Sequence, residues 1–292
     1  MEARETGATM SPNDDPADQA NLTPTGRLGF RGRHATPEER AHMFEAFFFE
    51  GDRRRPYMEQ FLVLMLLSAA IAAFGLSNDS AAVVIGAMLV ARLMTPILGT
   101  AASIVQGWGR RIGESLGIIL AGAAVAIVVG VVIDFFEPRL TSGAPLPGEL
   151  LARTRPNMTD LAIALAAGAA GAFVTVRSEA SSALPGVGIA VALVPPLATV
   201  GMCLGLGETQ LAAGALLLFS TNLVAIILAG GIIFTLAGFA AYRGEADERR
   251  ARIAAFILFG VVILFSLPLG SHGLQQFMTG RLHADVTQVV NT

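Results

Sequence analysis

Seven stretches of this chain reach or approach the roughly 20 apolar residues that a helix needs to cross a hydrocarbon layer about 30 Å thick. They lie near 57–76, 81–106, 112–133, 158–176, 185–206, within 209–241, and near 253–270. No other feature constrains the fold as much. A segment buried in lipid has no water to satisfy its amides, so its backbone hydrogen bonds must close within the segment, which a helix achieves alone. The pattern predicts an all-α integral membrane protein with about seven transmembrane helices. Composition agrees: only 15% of the 292 residues are charged, against about 25% in an ordinary soluble domain, and residues 1–56 hold a disproportionate share of them. This excludes a soluble enzyme, a nucleic-acid binder with a basic face and a disulfide-stapled secreted module. The net charge is −3 and all 20 basic residues are Arg, so no strong field points to a polyanionic partner. The lone Cys203 falls inside the fifth stretch and reads as a small core residue rather than a reactive thiol.

Residues 1–35 are rich in Pro, Gly, Asp, Thr and Arg and have no hydrophobic period, which predicts a disordered tail. No apolar region with a small-residue cleavage site is seen there, so no cleavable signal peptide is expected. Thr36-Pro37-Glu38-Glu39 starts a helix, with Thr36 at the N-cap, Pro37 at the first helical position and Glu39 placed for a capping box. Ala41, Phe44, Phe47 and Phe48 follow at helical spacing, and Arg53-Arg54-Arg55 anchors the end. Residues 36–56 fit an amphipathic helix on the membrane surface, or equally one packed on the protein's own cytoplasmic face.

The arginines set an orientation. If the spans alternate, Arg53, Arg54, Arg55, Arg110, Arg111, Arg177, Arg243, Arg249, Arg250 and Arg252 share one side, while the other has only Arg139, Arg153, Arg155 and Arg281. The positive-inside rule places the N-terminus in the cytoplasm and the C-terminus outside, as expected of a prokaryotic inner-membrane protein. The longest external connection, 137–156, contains Pro138, Pro145, Pro147 and Pro156, which predicts irregular structure.

Shifting the sequence by 100 residues lays spans one to three on spans four to six without a gap. Met58 meets Met158, Gly86 meets Gly186, Leu93 meets Leu193, Pro96 meets Pro196, Gly107 meets Gly207, Gly130 meets Gly230, and Asp79 meets Glu179. Identity is low; the alignment of hydrophobic segments, turns and a mid-span proline is the stronger signal. Three is odd, so the two units, 57–136 and 157–241, must be inverted relative to one another. Inverted repeats interrupted by Gly and Pro at matching positions underlie many secondary transporters. A duplication kept for packing alone gives the same pattern. The expected architecture is a 3+3 inverted repeat plus a C-terminal helix within 242–292.

Span two carries Pro96, and span five carries Pro195-Pro196. Proline removes a donor and clashes with the preceding turn, and a break in hydrocarbon is tolerated only where it faces protein or water. Thr95, Thr199 and Asn222 have hydroxyl or amide groups to answer freed backbone groups. Arg92, Thr95, Pro96, Pro195, Pro196, Thr199 and Asn222 are therefore the candidate substrate-binding residues, lining a site between two broken helices. The alternative is a kink that serves packing only.

The span-two pattern Gly86-Ala87-Met88-Leu89 through Leu93-Met94-Thr95-Pro96-Ile97, the run Gly168-Ala169-Ala170-Gly171 and the stretch Gly188-Ile189-Ala190-Val191-Ala192-Leu193-Val194-Pro195-Pro196-Leu197-Ala198-Thr199 resemble the bacterial and archaeal family called domain of unknown function 389. Asn222, in Leu218-Phe219-Ser220-Thr221-Asn222, matches as well. The resemblance covers about residues 57–240 and implies a multi-pass membrane protein, with no established activity and no substrate. One departure stands out: where this chain has Arg92, similar proteins carry proline, so the span-two break rests on Pro96 and is expected to be milder.

Arg92 falls near the middle of span two. A charge at that depth costs about 2.5–3.5 kcal/mol on insertion scales. No acidic residue matches its depth, because Glu114, Asp134, Asp160 and Glu179 all lie near span ends. Broken-helix carbonyls, Asn222, water or an anionic ligand would have to satisfy it. The small-xxx-small patterns Ala164-Gly168-Ala172 and Gly201-Gly205 suit close helix contact, within the bundle or across a homo-oligomer.

The four His residues show no metal spacing, and no Ser-His-Asp set, P-loop or glycine fingerprint is present, so neither an enzyme nor a cofactor is expected. The partners expected are the lipid bilayer and an unknown small solute or ion, with no nucleic acid. Two functions remain: a secondary transporter or permease of a small polar or anionic solute that alternates between Pro-broken helices, or a non-transporting membrane scaffold or sensor.

Overall fold

A computed structural model of the chain describes residue 47 and residues 54–137, 145–177 and 193–239. The predicted tail 1–35, the first half of span five and the predicted seventh span all lie outside the described residues. Every regular element among the described residues is a helix. In chain order they are α1 (Arg54–Ser77), α2 (Ala81–Val90), α3 (Met94–Gln106), α4 (Gly109–Phe136), α5 (Gly148–Ala152), α6 (Met158–Arg177), α7 (Val194–Gly205) and α8 (Thr209–Leu236). Four of them, α1, α4, α6 and α8, are long and apolar enough to cross a membrane, and the bent pair α2–α3 makes a fifth candidate. Seven crossings are thus not reached among the described residues, because the fifth and seventh predicted spans are described only in part or not at all.

The outward faces identify the solvent these helices suit. Val63, Leu66, Leu120, Val128, Ile163 and Ile232 are all exposed. Large apolar side chains on every side of a bundle would be an aggregation hazard in water and are the ordinary surface of a protein in lipid. Charges keep to helix ends: Arg55 pairs with Glu59 and Arg110 with Glu114, each one turn apart at 3.0 Å.

Lipid tails are as apolar as leucine, so burying one helix on another releases no water. Association then rests on close packing and interhelical hydrogen bonds. Small residues supply the approach. A Cβ built on Gly168 of α6 would lie 2.7 Å from Ile226 Cα on α8, and one on Gly201 of α7 would lie 2.8 Å from Gly130 Cα on α4. A Cβ on Gly75 would lie 2.9 Å from Val84 Cγ2, which sets α1 against α2. Both small-xxx-small patterns therefore pack inside this chain. Larger buried side chains fill the spaces between these seams, among them Phe61, Met65, Ile97, Leu197 and Ile226.

Several helix bounds lie 100 residues apart. Met94 and Val194 both open a short helix, Gly109 and Thr209 both open a 28-residue helix, and Phe136 and Leu236 close them. The connecting turns match as well. Gly107 and Gly207 have φ of 69° and 80°. Trp108 N donates to Ser103 O at 2.9 Å, and Glu208 N to Cys203 O at 2.8 Å. Gly107 N and Gly207 N donate to Ile104 O and Leu204 O. Both turns are Schellman caps, which require a left-handed residue that only glycine adopts cheaply.

The long helices pack within their own units, α8 on α6 and α7 and α4 on α1 and α3, and also across them. The long helix α4 packs on α7, and the long helix α8 packs on α3. Gly130 meets Gly201 at the first seam. At the second, Gly230 lies against Leu98 and Ala101, and Ala101 is the residue 100 positions before Gly201.

Candidate functional site

The break in span two is real and is not mild. The chain leaves the helix at Ala91-Arg92-Leu93, and α3 sets off at 55° to α2. Its position follows from proline geometry. A proline ring clashes with the carbonyl four residues earlier, and four residues before Pro96 is Arg92. The helix stops one turn upstream and restarts at Met94, which puts Pro96 within the first turn of α3. A single proline is enough for the break, without a second at position 92. In α7 the described helix starts at Val194, with Pro195 and Pro196 in its first turn.

The first amides of a helix have no intrahelical acceptor, and in an apolar medium each unpaired donor is costly. Pro96, Pro195 and Pro196 have no N–H to leave unpaired, so they lower the cost of starting a helix in the middle of a bundle. They are buried, as are Thr199 and Asn222, while Thr95 is half-buried.

Hydroxyl groups near the breaks bond back to the main chain. Thr199 Oγ1 donates to Pro195 O at 2.9 Å and Thr100 Oγ1 to Pro96 O at 2.8 Å, so the same device follows Pro96 and Pro195. Ser103 Oγ donates to Gly99 O at 2.7 Å on the same helix. Across helices, Ser68 Oγ of α1 donates to Ala87 O in the last turn of α2 at 2.7 Å, fully buried. That carbonyl sits where the break removes amide partners.

Arg92 is held differently from the expectation. Its side chain is exposed, and Nη1 donates to Gln60 Oε1 on α1 at 3.3 Å. Gln60 is six residues beyond Arg54, the first residue of α1, or about 9 Å along the helix at 1.5 Å per residue. The guanidinium thus reaches back toward the charged end of α1, where Arg55 and Glu59 pair. A long cationic side chain that lays its stem on apolar surface and delivers its head to a polar end is snorkelling. Counting residues placed Arg92 at the span centre; the break and the length of its side chain take its charge elsewhere.

The seven candidates therefore divide by environment. Pro96, Pro195, Pro196, Thr199 and Asn222 are buried, Thr95 is half-buried, and Arg92 is exposed beside Gln60. Sequence reasoning missed Gln60, Ser68 and Thr100. Ser68 and Thr100 left a faint signal, as hydroxyls on otherwise apolar faces. Gln60 left none, because its role depends on where the broken helix turns.

A further polar group lies at the far end of the bundle. Asp134, near the end of α4, is only 3% exposed, and its Oδ1 has no hydrogen-bond partner. Its carboxylate lies against Gly205 of α7: a Cβ built there would be 2.9 Å from Asp134 Cγ. Among the described residues no group of His, Cys, Asp and Glu is arranged to hold a metal ion.

The comparisons agree with the motifs. An uncharacterised protein of Methanocaldococcus jannaschii is 30% identical over 204 residues, which is 70% of this chain and 62% of that protein. The match thus spans less than two thirds of that relative's length. No solved structure matches the chain. A family model described as domain of unknown function 389 matches residues 88–228, from the last turn of α2 to the second half of α8. Pro96, Pro195, Pro196, both Schellman glycines and Asn222 all fall inside that match, which supports the assignment to this family of unknown function.

Proposed function

We propose that this protein is a membrane carrier: a 3+3 inverted repeat with a seventh helix at 253–270, moving a small polar or anionic solute across a prokaryotic inner membrane by alternating access. The N-terminus is cytoplasmic and the C-terminus outside. One observation carries the reading, the contact of each unit's third helix with the other unit's Pro-started helix. α4 packs on α7 and α8 on α3, with Gly130 and Gly230 at matching positions, and α8 packs on α6 and α7 of its own unit as well. Two related seams offer two arrangements, one with either seam closed, which is what alternating access needs. The proposed solute-binding residues are Thr95 and Pro96 at the start of α3, Pro195, Pro196 and Thr199 in α7, and Asn222 in α8, which supply polar groups in an apolar bundle.

The test uses a Cys203→Ala background reconstituted in liposomes, with spin-label pairs at Val128 and Leu204 for the α4–α7 seam and at Val105 and Ile232 for the α3–α8 seam. A carrier shows two distance populations at each seam, anticorrelated between them, together with uptake of a solute found by thermal-shift screening. Single fixed distances at both seams would end the carrier reading.

A scaffold or sensor is the second reading, and Arg92 is the observation that favours it. The one charge expected to draw an anion to mid-membrane is instead bonded to Gln60. If Arg92 only snorkels, Arg92→Leu folds, with a stability change of about 1 kcal/mol or less, and any uptake survives. Loss of uptake in a folded Arg92→Leu protein would restore its role at an anion site.

A further inference from the structure

Asp134 is out of place as a structural residue. It is 3% exposed, it makes none of the ion pairs found among the described residues, and its Oδ1 meets no donor. An ionised carboxylate buried without a partner is among the most expensive groups a fold can hold, and a neutral carboxylic acid is far cheaper.

Its neighbours favour positive charge. The C-terminal end of α7, with Gly205 against the carboxylate, presents the negative end of a helix dipole. Cys203 of α7 is within electrostatic range of both Asp134 and Glu208. On its own helix Asp134 is followed by exposed Phe135 and Phe136 and then by Glu137, with no basic residue among them. Among the described residues, no ion pair joins Asp134 to a basic group.

Two ligands can answer such a carboxylate, a proton or a small metal cation. A metal cation needs about six oxygen ligands. The carbonyls at the end of α7 are already engaged: Leu206 N donates to Met202 O at 3.0 Å, Glu208 N to Cys203 O at 2.8 Å and Gly207 N to Leu204 O at 3.2 Å. Among the described residues, Asp134 belongs to no group of His, Cys, Asp and Glu arranged to hold a metal ion, and a lone carboxyl suits a proton.

The position gives the proton a task. Gly130 and Asp134 are one turn apart on α4, and Gly201 and Gly205 are one turn apart on α7. The glycines bring the two backbones into contact, so the carboxyl rests directly on Gly205. The matching seam of α8 and α3 has no such group. The residue 100 after Asp134 is Phe234, fully buried edge-on to Phe47 at 5.9 Å. One seam carries an acid and its counterpart an aromatic ring.

We propose that Asp134 is a proton-binding site built into the α4–α7 seam, and that taking up and releasing this proton closes and opens that seam. In uptake an O–H bond forms between one carboxylate oxygen and a proton from water at the end of α4, and the neutral acid packs on Gly205. In release the proton returns to water, and the carboxylate draws water into the seam and parts the helices. Coupling the proton to solute movement rests on the carrier reading above; the proton site itself does not.

The test is infrared difference spectroscopy on the full-length protein in liposomes, titrated from mildly acidic to alkaline pH, with spin labels at Val128 and Leu204 followed in parallel. The expected result is a protonated-carboxyl band that disappears as pH rises, is missing from Asp134→Asn, and fades in step with a widening of the α4–α7 distance. In Asp134→Asn, an amide that mimics the neutral acid, the distance stays short at every pH. If Asp134→Asn does not fold, aspartate-specific isotope labelling of the unaltered protein identifies the band. Absence of the band overturns the site, as does a seam that responds to sodium at constant pH and not to protons. A titrating band with an unmoving seam overturns the coupling. A titrating band in a protein whose seams do not alternate leaves the proton site standing and removes the carrier.

Discussion

Glycine has two distinct uses in this chain, and they predict different penalties. A Cβ added at Gly107 or Gly207 would meet nothing within 4 Å, yet both residues have positive φ. Replacing either with alanine is expected to cost about 1–2 kcal/mol, the strain of an L-residue in the left-handed region, and nearly the same at both because the caps are alike. Gly201 has room for nothing, since a Cβ there would collide with backbone of α4. Gly201→Ala is expected to lose about 1–3 kcal/mol through overpacking and, unlike the cap variants, to alter the α4–α7 distance. Gly86 has open space and a helical backbone, so Gly86→Ala serves as the control, neutral or stabilising by up to about 1 kcal/mol. Thermal unfolding in one detergent orders the four. The cap glycines were legible in the sequence because they recur one period apart. The importance of Gly201 beyond a packing motif was not, since it depends on Gly130 lying opposite.

The break between α2 and α3 belongs to the element scale. Its cause is local, because Pro96 acts on the carbonyl of Arg92, one turn back. Pro96→Ala restores the missing donor and relieves the clash, so spin labels on α2 and α3 are expected to report a straighter pair than the observed 55°. If the bend persists unchanged, tertiary contacts such as Ser68 to Ala87 hold it and not the proline. The broken span was readable because proline has one dominant effect in a helix. The fate of Arg92 was not. Counting along a continuous helix put the charge at mid-membrane, but after a break the depth of a side chain depends on the directions of both half-helices and its own reach.

The whole molecule is where orientation is tested. Pro145→Cys, on an exposed position of the connection before α5, is expected to react with a membrane-impermeant maleimide from outside, and Ala246→Cys only from the cytoplasm. The opposite pattern would invert the proposed topology. At this scale the division of information is clear. The amino-acid order alone determined long apolar helical segments, the break at Pro96, a helix with Pro195 and Pro196 in its first turn, and matching glycine turns at Gly107 and Gly207, because hydrophobic run length, proline stereochemistry and glycine turns are local properties. Only the tertiary structure decided that α4 packs on α7 and α8 on α3, that Arg92 answers Gln60, and that Asp134 lies against Gly205 with its Oδ1 unpartnered. Each of these is a contact between residues distant in the chain, set by how closely glycine lets two backbones approach, and no local rule contains it.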